Sequence, residues 1–171
     1  MLHPRTSSIV SCSRTIPKED DMKTETRQPR INTLRVDDVM HRGVFTCERE
    51  TRLSEVAATM AQEHVHCVVV ESDSGEAGSL WGIVSDLDLV AAASVRDLDD
   101  QSAGASAAAP VVTVSPDETL ERAAQLMTEH NTAHLIVVDR ERPIGVLSTI
   151  DIAAGLAGRP AGARWRPREL R

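Results

Sequence analysis

The chain has 171 residues, 41% of them hydrophobic and 26% charged, and a formal net charge of −7, which is the balance of a globular protein of one compact domain or two small ones sharing a core. The charge is uneven: Val36 to Ala157 holds seven Arg, no Lys and 21 acids, net −14, while the flanks hold twelve basic residues and five acids, net +7. An acidic body argues against nucleic acid binding across the fold and against ligands rich in phosphate.

Met1 to about Arg35 is polar, with Pro4, Pro17 and Pro29 and no sustained period, so 1–35 is predicted to be a disordered N-terminal segment. A first repeat then spans 36–98. Val36, Val39 and Met40 mark a short helix, broken at His41-Arg42-Gly43, and Val44 to Cys47 a short strand. Leu53, Val56, Ala57, Met60 and Ala61 have the spacing of a helix with one buried stripe. Cys67 to Val70 reads as a buried strand and Ser72 to Gly78 as a turn. Leu80 to Val84 reads as an antiparallel partner strand, and Ser85 opens a helix running through Ala93. Residues 99–109, rich in Ala, Ser and Gly, predict a flexible linker.

A second repeat spans 110–157. Val111 to Val114 is a strand, and Ser115-Pro116-Asp117-Glu118 has the composition of a helix start. Leu120, Ala123, Ala124 and Met127 form the stripe. Leu135 to Val138 and Pro143 to Leu147 are strands about a turn, and Ser148 to Leu156 is a helix stopped by Gly158 and Pro160. The tail 158–171 carries five Arg and reads as a solvated end; it is the one stretch with the charge to meet a nucleic acid or an acidic partner.

The repetition is arithmetic. At an offset of 67, Val44 meets Val111, Thr46 meets Thr113, Leu53 meets Leu120 and Met60 meets Met127; the offset then drops to 63, so that Gly82, Ser85 and Asp88 meet Gly145, Ser148 and Asp151. The unit is strand, helix, strand, strand, helix. The expected fold is therefore α/β (α+β): two β-α-β-β-α repeats that bury their sheet faces on each other. Each repeat ends a strand at a helix N-terminus with Ser and Asp three residues apart. That pattern is close to a capping box, but a junction of this kind also offers free backbone N–H groups and a positive helix end to a ligand. Duplication at matching places favours the ligand role.

Cys12, Cys47 and Cys67 are odd in number and show no Cys-x-x-Cys spacing, and no stretch approaches the roughly 18 apolar residues of a membrane span, so the chain is expected in a reducing cytoplasm. His64, His66 and Cys67, with His41 and Cys47 nearby in sequence, suggest a transition metal. However, His66 and Cys67 are adjacent strand residues pointing to opposite faces, so the set reads as pocket-lining histidines and buried thiols with no metal. No Gly-x-Ser-x-Gly elbow supports nucleophilic catalysis, and no enzyme activity is expected.

From Val36 to Ala157 the sequence resembles a tandem pair of cystathionine-β-synthase (CBS) domains, a Bateman module. The resemblance rests on Asp38-Val39-Met40 before the first strand, the Thr46 and Thr113 strands, the Leu-to-Met stripes and the two Gly-x-x-Ser-x-x-Asp junctions. It implies two sheets packed about a pseudo-two-fold axis, with two clefts between the repeats that take AMP, ADP, ATP or S-adenosylmethionine as regulatory ligand and require no cofactor. By resemblance Asp88 and Asp151 hold ribose hydroxyls and Ser85 and Ser148 face phosphate. Val44 to Thr46 and Val111 to Thr113 meet adenine, and His66-Cys67 and Ala133-His134 line the clefts. It further implies a homodimer through the helices Ser85–Ala93 and Ser148–Leu156, and output through a partner protein of unknown identity. The second copy departs from the pattern: Ala105 to Pro110 stands where Asp-Val-Met would be. No Arg or Lys flanks Ser85 or Ser148, so phosphate would have to be met by Arg42, Arg140 or Arg142. A ligand-free interaction protein using the same fold to dimerise is the alternative.

Overall fold

A computed structural model describes residues 30–73 and 79–159. The expected disordered segment and basic tail therefore lie outside the described residues over 1–29 and 160–171, as does the predicted turn over 74–78.

The first repeat runs β2 (Thr46–Cys47), α2 (Leu53–Glu63), β3 (Cys67–Glu71), β4 (Leu80–Ser85) and α3 (Asp86–Ala93); the second runs β5 (Thr113–Val114), α5 (Leu120–Glu129), β6 (His134–Asp139), β7 (Arg142–Ser148) and α6 (Thr149–Leu156). Ahead of the first repeat stand α1 (Val36–Val39) and β1 (His41–Arg42), and ahead of the second stands α4 (Ala103–Ser106). In each repeat the first strand pairs parallel with the second and the second antiparallel with the third.

The unbroken apolar run Cys67 to Val70 is buried throughout because β3 is covered on both faces. Val68 and Val70 pack with Val84 against Leu53, Val56, Met60 and Leu89 of the helices, whereas Cys67 and Val69 join Ile83 and Ile136 between the two sheets. β6 repeats this arrangement: Leu135 and Val137 face α5 and α6, while Ile136 and Val138 face the other sheet. The period of two along each strand thus builds three apolar layers, and the sheets pack face to face as the repeat arithmetic requires.

The segments leading into each repeat cross to the other one. β1 pairs antiparallel with β7 of the second sheet, His41 opposite Val146 and Arg42 opposite Gly145. Val36, Val39 and Met40 are buried with Leu120, Leu135 and Leu147. The Val36 N–H donates to Glu118 O at 3.0 Å, and the Leu120 N–H to Leu34 O at 3.0 Å. An offset of 67 reproduces these bonds on the other side: the Ala103 N–H donates to Thr51 O at 2.8 Å and the Leu53 N–H to Gln101 O at 3.0 Å. Ala108 stands opposite Ile83 as His41 stands opposite Val146.

Three expectations are corrected. The 99–109 stretch is folded, not a loose linker. A 3-10 turn over Leu98–Asp100 leads into α4, and Ala103 is fully buried in the first core. Gln101 Nε2 donates to the carbonyls of Ala92, Arg96 and Asp97 at 3.1 to 3.2 Å. Small side chains there serve close approach: a Cβ on Gly104 would lie 2.9 Å from Arg49 Cβ. α4 is consequently the counterpart of α1, with Ala103 and Ala107 standing where Val36 and Met40 stand in the first copy, so the lead-in missing from the sequence pattern is present in the fold. α5 begins at Leu120, capped by Thr119 Oγ1 rather than by Ser115. The reason is that the carbonyls of Pro116 and Glu118 accept from Asp37 and Val36 of α1 and hold that turn outside the helix. Finally, the end of the supposed disordered segment is ordered, since Ile31 and Leu34 pack on the second core.

Candidate functional site

The two Ser–Asp junctions are closed capping boxes of near-identical geometry. Ser85 precedes α3 in extended conformation, and its N–H and Oγ donate to Asp88 Oδ2 at 2.8 and 2.6 Å while the Asp88 N–H returns to Ser85 Oγ at 3.3 Å. At Ser148 the same bonds to Asp151 measure 2.8, 2.5 and 3.4 Å. Capping is thus the first role of both pairs, and such caps stabilise by about 0.5–2 kcal/mol each. It engages one carboxylate oxygen, leaving Oδ1 of each Asp to other partners.

Two cavities lie between the repeats and are related by the internal two-fold. The smaller, about 270 Å³, is walled by the lead-in and β3 start of the first repeat and by the junction of the second; Ser148, Asp151, His66, Cys67 and His134 line it, with His41, Arg42, Phe45 and His64 at their side. The larger, about 500 Å³, is walled by the matching segments: Ala108 to Thr113, Asn131 and Thr132, with Ile83 of the first repeat. His134 lines both. Among the residues expected at the site, Val111 and Thr113 border the larger cavity. Thr46 is exposed on β2, outside both linings, and Val44 packs in the layer between the sheets. Ser85 and Asp88 lie beyond the larger cavity, two and five residues along the chain from its Ile83 wall. Ala133 acts through its backbone: its carbonyl accepts from Thr149 N–H at 3.0 Å, as His66 O accepts from Asp86 N–H, tying the start of each central strand to the helix that ends its own repeat.

Sequence reasoning placed Phe45 only within the Val44 to Thr46 segment and His41 and His64 only among pocket-lining histidines, and it gave no ligand role to Ala108 to Pro110. The repeat offset, carried back from Val44 to His41 and Ala108, is the signal that could have found the lead-ins. Of the three arginines considered for phosphate, the fold brings Arg42 to a cavity, whereas Arg140 and Arg142 stand at the hairpin end of β6 and β7, away from His134 and Ser148. Arg42 is already paired, its Nη2 lying 2.8 Å from Asp37 Oδ1.

The smaller cavity is rich in imidazole, and two of its rings stand against carboxylates. His41 Nδ1 lies 3.0 Å from Asp151 Oδ1, and His66 Nδ1 lies 2.9 Å from Asp86 Oδ2. The His66 hydrogen bond holds the Asp86 carboxyl below its usual range. Burial lowers the His134 pKa, opposed by the charges of Asp86, Asp151 and Asp88. Burial, then the Asp86 and Asp151 charges, push the Cys67 thiol up to about 12, so it stays protonated and non-nucleophilic near neutral pH. Cys47 packs on the far side of the first sheet, so the two thiols do not converge. Among the described residues no group of three or more His, Cys, Asp or Glu is placed to hold a metal ion, and no helix is long and apolar enough to cross a membrane.

The chain is similar to several known proteins. The "CBS domain-containing protein YhcV" of Bacillus subtilis is 29% identical over 119 residues, covering 69% of this chain and 82% of that protein. A homoserine O-acetyltransferase of Methanosarcina acetivorans is 30% identical over 128 residues, or 72% of this chain; the match spans only 22% of that enzyme's length. Among solved structures, the CBS domain protein PAE2072 from Pyrobaculum aerophilum, complexed with AMP, is 28% identical and superposes with a TM-score of 0.60 over 73% of this chain and 99% of that one. The CBS domain family model matches twice, at residues 36–95 and 105–158, one match on each repeat and its lead-in, and the chain belongs to the CBS-domain family.

Proposed function

We propose that the chain is a regulatory module whose cleft between the repeats binds an adenosine ligand of low anionic charge, AMP or the cationic S-adenosylmethionine, and reports occupancy to a partner protein. The observation that carries this reading is Asp88. The cap fixes its Oδ2, and among the described residues no partner engages its Oδ1, so the helix N-terminus presents a prepositioned acceptor to a ribose diol. The AMP complex of PAE2072 supports the ligand class. A body of net −14, with Arg42 held by Asp37, disfavours ADP and ATP relative to AMP. Screening limits that field to about 8 Å in physiological salt, so the preference rests on the arginines beside the cavities.

Calorimetry with AMP and with S-adenosylmethionine tests the reading. Hydrogen bonds to a charged acceptor are worth roughly 1.5–3 kcal/mol. Asp88→Ala is therefore expected to weaken the ligand about tenfold to a hundredfold, and its ligand-free melting temperature shows whether the cap loss alone unfolds the chain. Equal binding by wild type and a folded Asp88→Ala variant contradicts the proposal and favours the ligand-free scaffold, in which both junctions are caps only.

A further inference from the structure

We infer that His41 makes the two clefts inequivalent by occupying, from within the chain, the carboxylate that a ligand would need in the smaller one; this rests on the adenosine-ligand reading above. An ionised carboxylate offers about four lone-pair sites. In Asp151 two are taken on Oδ2 by the Ser148 N–H and Oγ, and the His41 imidazole stands against Oδ1, its Nδ1 at ion-pair distance, 3.0 Å. The Asp151 side chain is left 8% exposed. A ribose diol brings two hydroxyl donors and finds Oδ1 buried and already faced by the imidazole.

The matching residue in the other repeat cannot do this. An offset of 67 places Ala108 where His41 stands, and its N–H and C=O pair with Ile83 at 2.9 and 3.0 Å as a strand neighbour. Its methyl group reaches no carboxylate. Asp88 is accordingly half-buried rather than buried and keeps both positions on Oδ1. His41 is also firmly placed. β1 pairs with β7, and the His41 carbonyl runs so close over Gly145 that no Cβ fits between them. The imidazole is thereby presented to Asp151 by the backbone of the opposite repeat. His41 is a specificity-determining residue of the smaller cleft, and the chain takes one ligand per molecule, in the larger cleft, whose Ile83 wall leads five residues along the chain to Asp88.

Titration calorimetry with AMP on the full chain tests this through stoichiometry. Wild type is expected to bind one equivalent and His41→Ala two. The His41→Ala, Asp151→Ala double variant returns to one, because the added site depends on the released carboxylate. Ala108→His is expected to weaken the wild-type site on the order of tenfold, the equivalent of one lost charge-assisted hydrogen bond. The His41 side chain is 58% exposed, so its removal leaves the fold standing, which a melting curve verifies. Two equal equivalents in wild type, or one in a folded His41→Ala variant, overturns the inference while leaving the ligand reading intact. No heat from wild type or from His41→Ala overturns the ligand reading, and the inference with it.

Discussion

Gly82 and Gly145 hold their places because the crossing lead-ins leave no room for a side chain. A Cβ on Gly82 would sit 2.9 Å from Ala108 O and 2.8 Å from Ala107 Cβ; on Gly145 it would press against His41 O, with Met40 Sδ at 3.2 Å. Overpacking of this kind costs about 1–3 kcal/mol. Gly145→Ala is expected to be the worse of the two, since a backbone oxygen in a paired strand cannot move aside; denaturant midpoints of the two variants check the order. His134 gives a second residue-scale prediction. Burial favours its neutral form, so as pH falls below the ordinary histidine range, about 6.5, the unfolded chain takes up a proton that the folded chain resists. Stability is therefore full above that range and is lost below it, down to the lower folded pKa. Melting temperatures at pH 7.5 and 5.5 should differ less in His134→Asn than in wild type; an unchanged difference would show that His134 contributes nothing to the acid side. At this scale the sequence was informative where chemistry is local. Ser and Asp three residues apart before an apolar run form a cap that can be read directly. The pairing of His41 with Asp151 depends on which sheet the lead-in joins, and no local pattern carries that.

At the scale of elements, each hydrophobic period found its structure. The stripes from Leu53 and Leu120 became α2 and α5, and the runs at Cys67 and Leu135 became the central strands. The exchange of lead-ins was not legible, because the amphipathic pattern of Val36, Val39 and Met40 says that they are buried but not against which repeat. Composition misled at 99–109 for a related reason: Ala and Gly are the residues of loose chain and also those of tight contact. The exchange has a consequence for folding. A fragment of 30–97 carries α1, whose partners Leu120 and Leu147 lie in the other half, and a fragment of 98–159 carries α4, whose partners Leu53 and Val56 lie in the first. Neither half alone covers its own core. Large-to-small loss in a core costs about 2–5 kcal/mol per side chain, so removal of Val36, Val39 and Met40 together exceeds the stability of a domain this small. Each half is expected to be unfolded or self-associated by circular dichroism and gel filtration, and an equimolar mixture to recover the native signal. Two separately folded, monomeric halves would show that the lead-ins are dispensable.

For the whole molecule, the helices that bear the junctions also carry three of the large apolar side chains most exposed among the described residues. Leu87 and Val90 of α3 are 74% and 68% exposed, and Ile150 of α6 is 65% exposed. Leu87 and Val90 are three residues apart and share one face of α3. Leu87 and Ile150 correspond at the offset of 63, so the two repeats expose equivalent faces. Ala91 of α3 and Ala153 of α6 are exposed on the same helices, and such small side chains allow a second helix pair to approach closely. A face of this kind suits an isologous contact with a second copy, where burying each large side chain contributes about 1.5–3 kcal/mol. Sedimentation equilibrium at micromolar concentration is expected to give twice the chain mass of 18.6 kDa, and Leu87→Asp with Ile150→Asp to restore the single mass without loss of secondary structure. Ile150 also edges the smaller cavity and stands next to Asp151, so the association face and a ligand cleft share a helix end. A ligand that favours one arrangement of that end shifts the dimer equilibrium by its difference in affinity, and dimerisation must return the same factor to ligand binding. The measurement is the dimer dissociation constant with and without saturating AMP, beside the AMP dissociation constant of wild type and of the Leu87→Asp, Ile150→Asp monomer. Equal factors establish coupling through the helix pair. A wild-type chain that sediments at 18.6 kDa with and without AMP removes both the dimer and this route of signalling.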